Sequence, residues 1–380
     1  MFQAHNTAKV MRTGVNLRLW AATARVFAGL RHVRGGRQGV NFVTLAGLVV
    51  SALGVACVLA VPAQANDAEA EIGVGGIVLL KPSRAIVMEA EDLYISEDIV
   101  RVKYRFRNPT DRAITTTVAF PMPRQPRGMA DRWYDMDRAH DFSGFGFNTK
   151  VDGKPVRLKQ IDRAMIGDRD VTQRIKGLGW PLYWVNAHGS SALFETMDAA
   201  QRKAFSAEGL VIEEEMFDFR PVPAWDLATF FVREQRFPAN STITVEHEYV
   251  PMAGGSVGGA LHKSVRQDSP EILEAYREDY CVDGPFLRGV DRKLASAKPG
   301  FFTFYSETWL GYVLTSGANW KGPIGDFRLV VDKGSPDNLV SFCMDGVTKI
   351  APTRFEVRKT AFTPTRDLKI LIAKFHEMEE

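Results

Sequence analysis

The sequence predicts a mainly β protein of the α+β class: two antiparallel β-sandwich-like modules, with a helical insertion in the first and a helical segment between them. Three observations predict it. Apolar and polar residues alternate with period two in many short runs, as half-buried strands require. Gly, Pro, Asn and Asp punctuate those runs at short intervals, where turns need them. Helical periodicity is confined to about 171–209 and to the stretch after Ser269.

The N-terminal segment has a different character. Val40 to Pro62 is almost uninterruptedly apolar, seven Lys and Arg residues precede it without any Asp or Glu, and Ala63-Gln64-Ala65 follows. A basic region, an apolar run and a small-x-small site describe a secretory signal peptide over residues 1–65, with an uncleaved membrane anchor as the alternative. Without those residues, 41 basic side chains face 45 acidic ones, a net charge of −4. That balance removes the basic signature of nucleic-acid binding. The remaining chain, 45% hydrophobic and 24% charged over the whole sequence, has globular composition.

In order, the first module is expected over 66–258. A small, Gly-rich lead-in reaches Gly76. Ile86, Met88 and Ala90 then alternate with Val87, Glu89 and Glu91. From Ile99 to Pro123 a long hairpin is expected. Val100, Val102, Tyr104 and Phe106 share one face, and Arg101, Lys103, Arg105 and Arg107 share the other. Asn108-Pro109-Thr110-Asp111 turns into a second alternating run that ends at Pro121 and Pro123. Cross-strand acidic partners or solvation account for the four cations. Asp152-Gly153 marks a tight hairpin. Leu193 to Phe205 has helical spacing, with Gly209 as its C-terminal cap. Strands follow at Leu227–Phe237 and Thr242–Val250. Met252 to Gly259 reads as a linker.

The second module is expected over 259–380. Ser269-Pro270-Glu271 is a helix start, and Asp283-Gly284-Pro285 separates a second short helix. From Phe301 onward six strands are expected: Phe302–Tyr305, Trp309–Thr315, Asp326–Val331, Val340–Met344, Arg354–Arg358 and Leu368–Ala373.

The run GGIVLLKPSRAIVMEAEDLYISEDIVRVKYRFRNPTDRAITTTVAFPMP, with FPANSTITVEHEYVP and YVLTSGANWKGPIGDFRLVVDK, resembles the bacterial exported family called domain of unknown function 4424. The resemblance covers about Gly75 to Phe375. It implies an exported, β-rich protein and carries over no catalytic residue.

Candidate chemistry is sparse. Asp131, Asp135, Asp137, His140 and Asp141 lack the spacing of a Ca²⁺ loop, so a solvated loop is expected and no metal. Glu213-Glu214-Glu215 with Asp218 could supply paired carboxylates for glycoside hydrolysis, against the ordinary role of a solvated charged face. His247, between Val245 and Tyr249 on an apolar face, reads as a hydrogen-bonded core histidine. Cys281 and Cys343 are expected to pair as one disulfide in an oxidising compartment. The alternatives are two buried thiols, or Cys281 as a nucleophile with His247 or His262. Trp180, Tyr183, Trp184 and Trp320 are candidate ligand-binding aromatics; their ordinary role is packing.

No catalytic residue, cofactor or metal is assigned. The expected function is a non-catalytic binding or interaction protein of the periplasm or bacterial envelope. Its partner would be an envelope protein or an apolar or carbohydrate ligand. It would contact no nucleic acid, and the membrane only through its N-terminal segment. An envelope hydrolase of glycans or peptides is the first alternative, and a membrane-tethered scaffold the second. The functional surface is expected at Arg124–Ser143 or Trp180–Trp184.

Overall fold

The computed structural model describes residues 66–72, 78–125, 146–182, 197–213 and 221–379, and these described residues belong to one compact unit. The expected signal segment at 1–65 lies outside the described residues.

The chain begins with β1 (Ala68–Ile72), β2 (Val78–Lys81), β3 (Val87–Ile95), β4 (Val100–Asn108) and β5 (Ile114–Pro121). β6 (Asn148–Val151) and β7 (Lys154–Pro155) join through Asp152-Gly153, both at positive φ, the turn that matches strand twist. β8 (Lys159–Ile166) and β9 (Arg169–Asp170) lead to helix α1 (Thr172–Gly177). Helix α2 (Ala199–Ala207) starts at a capping box between Asp198 and Gln201 and stops before Gly209, at φ +69°. β10 (Val211–Glu213), β11 (Pro221–Pro223), β12 (Asp226–Phe237), β13 (Ser241–Tyr249) and β14 (Ala253–Ser256) follow.

Helices α3 (Lys263–Asp268), α4 (Pro270–Tyr280) and α5 (Gly284–Leu294) come next. Ser269 makes no side-chain cap to α4; it also ends α3, its N–H donating to Val265 O at 2.9 Å. Asp283 caps α5 by accepting from Phe286 N at 2.8 Å. The chain finishes with β15 (Phe301–Tyr312), β16 (Ile324–Asp332), β17 (Leu339–Phe342), β18 (Thr348–Lys349), β19 (Arg354–Phe362) and β20 (Leu368–Glu379). The protein is mainly β, with few helices.

Among the described residues the strands form an eight-stranded sheet, β18-β19-β16-β3-β4-β13-β6-β7, a six-stranded sheet, β2-β1-β5-β12-β8-β9, and a four-stranded sheet, β14-β15-β20-β17. The ribbon β10-β11 stands apart. Burial alternates along all of β4: Val100, Val102, Tyr104 and Phe106 are buried and the four cations are exposed. Those inner residues share one core with Val118, Phe120 and Phe231 of the six-stranded sheet and with Leu310, Tyr312 and Ile370 of the four-stranded one. Burying a side chain such as Phe106 or Phe120 contributes roughly 1.5–3 kcal/mol. On the outer face Arg101 pairs with Glu248 at 2.7 Å, Lys103 with Glu246 at 2.8 Å and Arg105 with Glu89 at 3.0 Å, as the β4/β13 register dictates for the first two.

Two expectations change. β4 and β5 do not pair as a hairpin: β4 lies between β3 and β13, and β5 between β1 and β12 in another sheet. The connection is a corner built on the buried Asn108. Its Nδ2 donates to Arg112 O at 2.8 Å and Phe237 O at 3.0 Å, while its Oδ1 accepts from Thr110 N at 3.0 Å and Thr110 Oγ1 at 2.7 Å. Alternation identifies the buried face of each strand. It does not distinguish strands side by side from strands facing each other across a core. Second, the expected linker at Met252–Gly259 contains β14, whose Gly254 and Gly255 oppose Trp309 and Thr308. The same pairing keeps β15 continuous where two strands were expected.

The segments on either side of residue 258 interlock. β16 pairs in parallel with β3, Leu329 opposite Leu93, inside the largest sheet. A parallel pairing between strands this far apart in the chain leaves no local turn signal.

Candidate functional site

Among the described residues, two clusters of buried titratable groups lie in the core. The first begins at Asp67, just before β1. Arg233 on β12 donates twice to it, Nη1 to Oδ1 at 3.1 Å and Nη2 to Oδ2 at 2.6 Å. His247 on β13 brings Nε2 to 3.2 Å from Asp67 Oδ2, and its Nδ1 lies 2.8 Å from Thr149 Oγ1 on β6. Burial alone would raise the Asp67 carboxyl, but Arg233 and His247 outweigh it and hold the group well below the usual carboxylate range. Burial lowers the His247 imidazole, against the opposing pull of Asp67, so the ring is neutral at pH 7.

Thr149, His247 and Asp67 have the connectivity of a hydroxyl, a base and an orienting carboxylate. Their surroundings give them a structural role instead. All three are buried, and the His247 ring is enclosed by Phe120 at 4.9 Å and Phe147 at 5.4 Å. The network ties the six-stranded sheet, through Arg233, to the eight-stranded sheet, through His247 and Thr149.

Beside it, Glu91 on β3 is buried, with Asn66 Nδ2 donating to its Oε2 at 3.0 Å and Tyr312 OH to its Oε1 at 3.4 Å. Tyr312 shares a 2.9 Å hydrogen bond with Tyr104. Burial pushes the Glu91 carboxyl up to about 8, more than its hydrogen bonds pull it down. It therefore carries a proton at pH 7, while Asp67 carries a charge that Arg233 neutralises.

The second cluster surrounds Glu307 on β15. Tyr276 OH donates to it at 2.5 Å, Ala260 N at 2.9 Å, Trp309 Nε1 at 3.0 Å and Tyr305 OH at 3.2 Å. Burial raises its carboxyl in spite of those four donors. Gly259 lies against the Tyr305 ring so closely that a Cβ there would stand 1.7 Å from it. The cluster fastens α4 and the 257–262 connection onto β15.

The aromatics singled out in the sequence divide between two cores. Trp320 is buried in the main core, its Nε1 donating to Asp67 O at 2.6 Å. Trp180 is half-buried over a smaller core beneath α1 and α2, stacked on Trp225 at 6.3 Å and edge-on to Phe205 at 4.8 Å. Trp225 is itself fixed by donating Nε1 to Leu182 O at 2.6 Å. Tyr183 and Trp184 lie outside the described residues, as do Asp131 to Asp141, Glu214, Glu215 and Asp218. Cys281 and Cys343 form a disulfide with Cα atoms 5.0 Å apart, so the thiol-nucleophile route through Cys281 is closed. Among the described residues no group of three or more His, Cys, Asp or Glu side chains could hold a metal ion, and no helix is long and apolar enough to cross a membrane.

Local sequence pattern does not mark Asp67, Glu91, Arg233 and Glu307 as core groups. For Glu91 the reason is a β-bulge between Met88 and Ala90. The extra residue shifts the alternation, so Glu91 joins Leu93 and Ile95 on the inner face.

A comparison with curated proteins finds no match. Among solved structures, a Legionella pneumophila subsp. pneumophila protein described as a candidate nutrient binding protein is 14% identical, with a TM-score of 0.34 over 80% of this chain and 72% of that chain. A variant of a two-domain M1 zinc metallopeptidase bound to L-tryptophan is 8% identical, with a TM-score of 0.24 over 77% of this chain and 44% of that one. A family model matches residues 65–371, and the chain belongs to that family, the domain of unknown function DUF4424.

Proposed function

We propose that this is an exported, non-catalytic binding protein of the bacterial envelope, whose ligand surface is the aromatic platform at Trp180. The Trp225–Trp180 stack carries the reading. Its inner ring is locked by a hydrogen bond, and its outer ring, edge-on to Phe205, is partly accessible to solvent. A rigid, partly exposed aromatic face suits the apolar faces of sugars or the side chains of a peptide. Export is supported by the N-terminal signal pattern together with the Cys281–Cys343 bridge, since disulfides persist in oxidising compartments. The non-catalytic part is supported by the enclosure of Asp67, Glu91, His247 and Glu307, each held by neighbouring groups inside the core.

The test is a fluorescence titration of the purified protein with soluble peptidoglycan fragments, maltooligosaccharides and palmitate. One class quenches tryptophan emission saturably, and Trp180→Ala removes the response without lowering the unfolding midpoint by more than a few degrees. Saturable binding that persists in Trp180→Ala counts against the platform.

A further inference from the structure

We propose that cleavage after Ala65 creates an α-ammonium group at Asn66 that docks onto the buried carboxylate of Glu91, so that the chain locks its own new N-terminus into the core. This rests on the export reading given above. It adds a specific receptor for the product of processing.

Four features of the core carry it. Asn66 is wholly buried, and its side chain already touches Glu91 at 3.0 Å. The next residue is clamped on every polar atom of its side chain and on its carbonyl, by Arg233, His247 and the Trp320 indole, so Asn66 has little freedom to withdraw. Asn66 also packs tightly on its other side: a Cβ at Gly317 would stand 2.7 Å from Asn66 Nδ2. Finally, polar groups at this place lack partners: Asn66 Oδ1 is buried without a hydrogen bond, as is the hydroxyl of Ser316, the residue before Gly317, and among the described residues no basic side chain pairs with Glu91. An α-ammonium brings three N–H donors to these acceptors and supplies the counter-charge that lets Glu91 ionise. The family match begins at residue 65, beside the same point.

The covalent step is peptide hydrolysis by an export peptidase. Water supplies a hydroxyl to the Ala65 carbonyl carbon and a proton to the Asn66 nitrogen as the C–N bond breaks, leaving an Ala65 carboxylate and an Asn66 ammonium. Before cleavage Asn66 contributes a neutral amide and Glu91 keeps its proton. After cleavage Glu91 gives up its proton to solvent and ionises against the ammonium, and the pocket remains neutral overall. The precursor thus lacks one buried ion pair that the processed chain has, and β1 is fastened fully only after processing.

The experiment expresses the whole 380-residue chain in an exporting bacterial host, isolates the processed protein and sequences its N-terminus. The α-amine is then acylated with limiting acetic anhydride across a pH series, and the Asn66 peptide is quantified by mass spectrometry. The expected result is an N-terminal Asn66 whose amine titrates at least about one unit above the usual α-amine value of about 7.7–8.0. In Glu91→Gln the same amine, buried without its counter-charge, titrates below that value. Glu91→Asp, which keeps the charge, preserves the upward shift. A first residue other than Asn66 overturns the inference by removing the processing event. An N-terminal Asn66 whose amine titrates at the usual value in the wild type overturns the docking itself while leaving export intact.

Discussion

Arg233 and Asp67 meet end-on in the sealed core, guanidinium against carboxylate, with side-chain exposures of 2% and 0%. The pair joins the residue before β1 to β12, and its charges cancel in a medium where either alone would be costly.

Asp67→Asn strands the Arg233 charge. Breaking a buried pair from one side costs about 3–5 kcal/mol, and replacing both partners by uncharged groups recovers much of that loss. Urea unfolding of Asp67→Asn, Arg233→Met and the double variant is therefore expected to show two large single effects that are strongly non-additive. Additive effects would mean that the two side chains act independently.

Stability is expected to fall with rising pH just above neutrality in a chain where Asn66 remains peptide-bonded to Ala65. Glu91, raised to about 8, holds its proton in the folded state over a range where the unfolded chain has lost it. Its contribution is complete below the ordinary glutamate value and declines as pH rises to about 8, by at most about 1.4 kcal/mol per unit. His247, lowered by burial, has the opposite sign, adding stability as pH rises to the ordinary imidazole value. The two oppose each other in the acid range, and above about 6.5 Glu91 dominates. Glu307 contributes with the same sign as Glu91. Glu91→Gln flattens the slope between pH 6.5 and 8, measured by urea unfolding at each pH. An unchanged slope would exclude Glu91 as its source.

Asn108→Ala opens the corner between β4 and β5. The substitution removes the Nδ2 donor from the Phe237 carbonyl and one of two donors from the Arg112 carbonyl, which keeps Thr110 Oγ1 at 3.0 Å, and costs about 1–3 kcal/mol if the Phe237 carbonyl stays buried. Arg101→Ala, on the solvated ladder of the same strand, costs less than about 1 kcal/mol. Differential scanning calorimetry of the two variants separates a structural polar residue from a surface one.

Reduction of Cys281–Cys343, or replacement of both by Ser, releases a closure with a sequence separation of 62 residues. In the chain-entropy model that costs about 4 kcal/mol. The check is a denaturant midpoint with and without reductant. The expected native thiol count for this pair is zero.

Much of this fold was legible because strand periodicity and turn chemistry act locally. The buried face of β4, the Asp152-Gly153 turn, the starts of α4 and α5, and the hydrogen-bonded role of His247 all follow from neighbours in sequence. What escaped depends on distant strands. The Asn108 corner has the same local pattern as a hairpin turn. The parallel β3/β16 pairing joins Leu93 to Leu329 with no signal in between. The core carboxylates escaped for a related reason: an acidic residue in an alternating run is assigned outward, and only the bulge at Met88/Ala90 turns Glu91 inward. Of the four candidate ligand aromatics, Trp320 is a core residue with a hydrogen-bonded indole, and Trp180 reaches solvent. Nothing in the local sequence distinguishes the two.

The proposed binding at Trp180 leaves the buried titratable groups to structural roles. Its most direct test is native mass spectrometry of the protein isolated without denaturation from the envelope of an exporting host, comparing wild type, Trp180→Ala and His247→Gln. The account predicts one species bound stoichiometrically to the wild type and to folded His247→Gln, and absent from Trp180→Ala. Retention of that species by Trp180→Ala, or turnover of a glycan or peptide that folded His247→Gln abolishes, would contradict it.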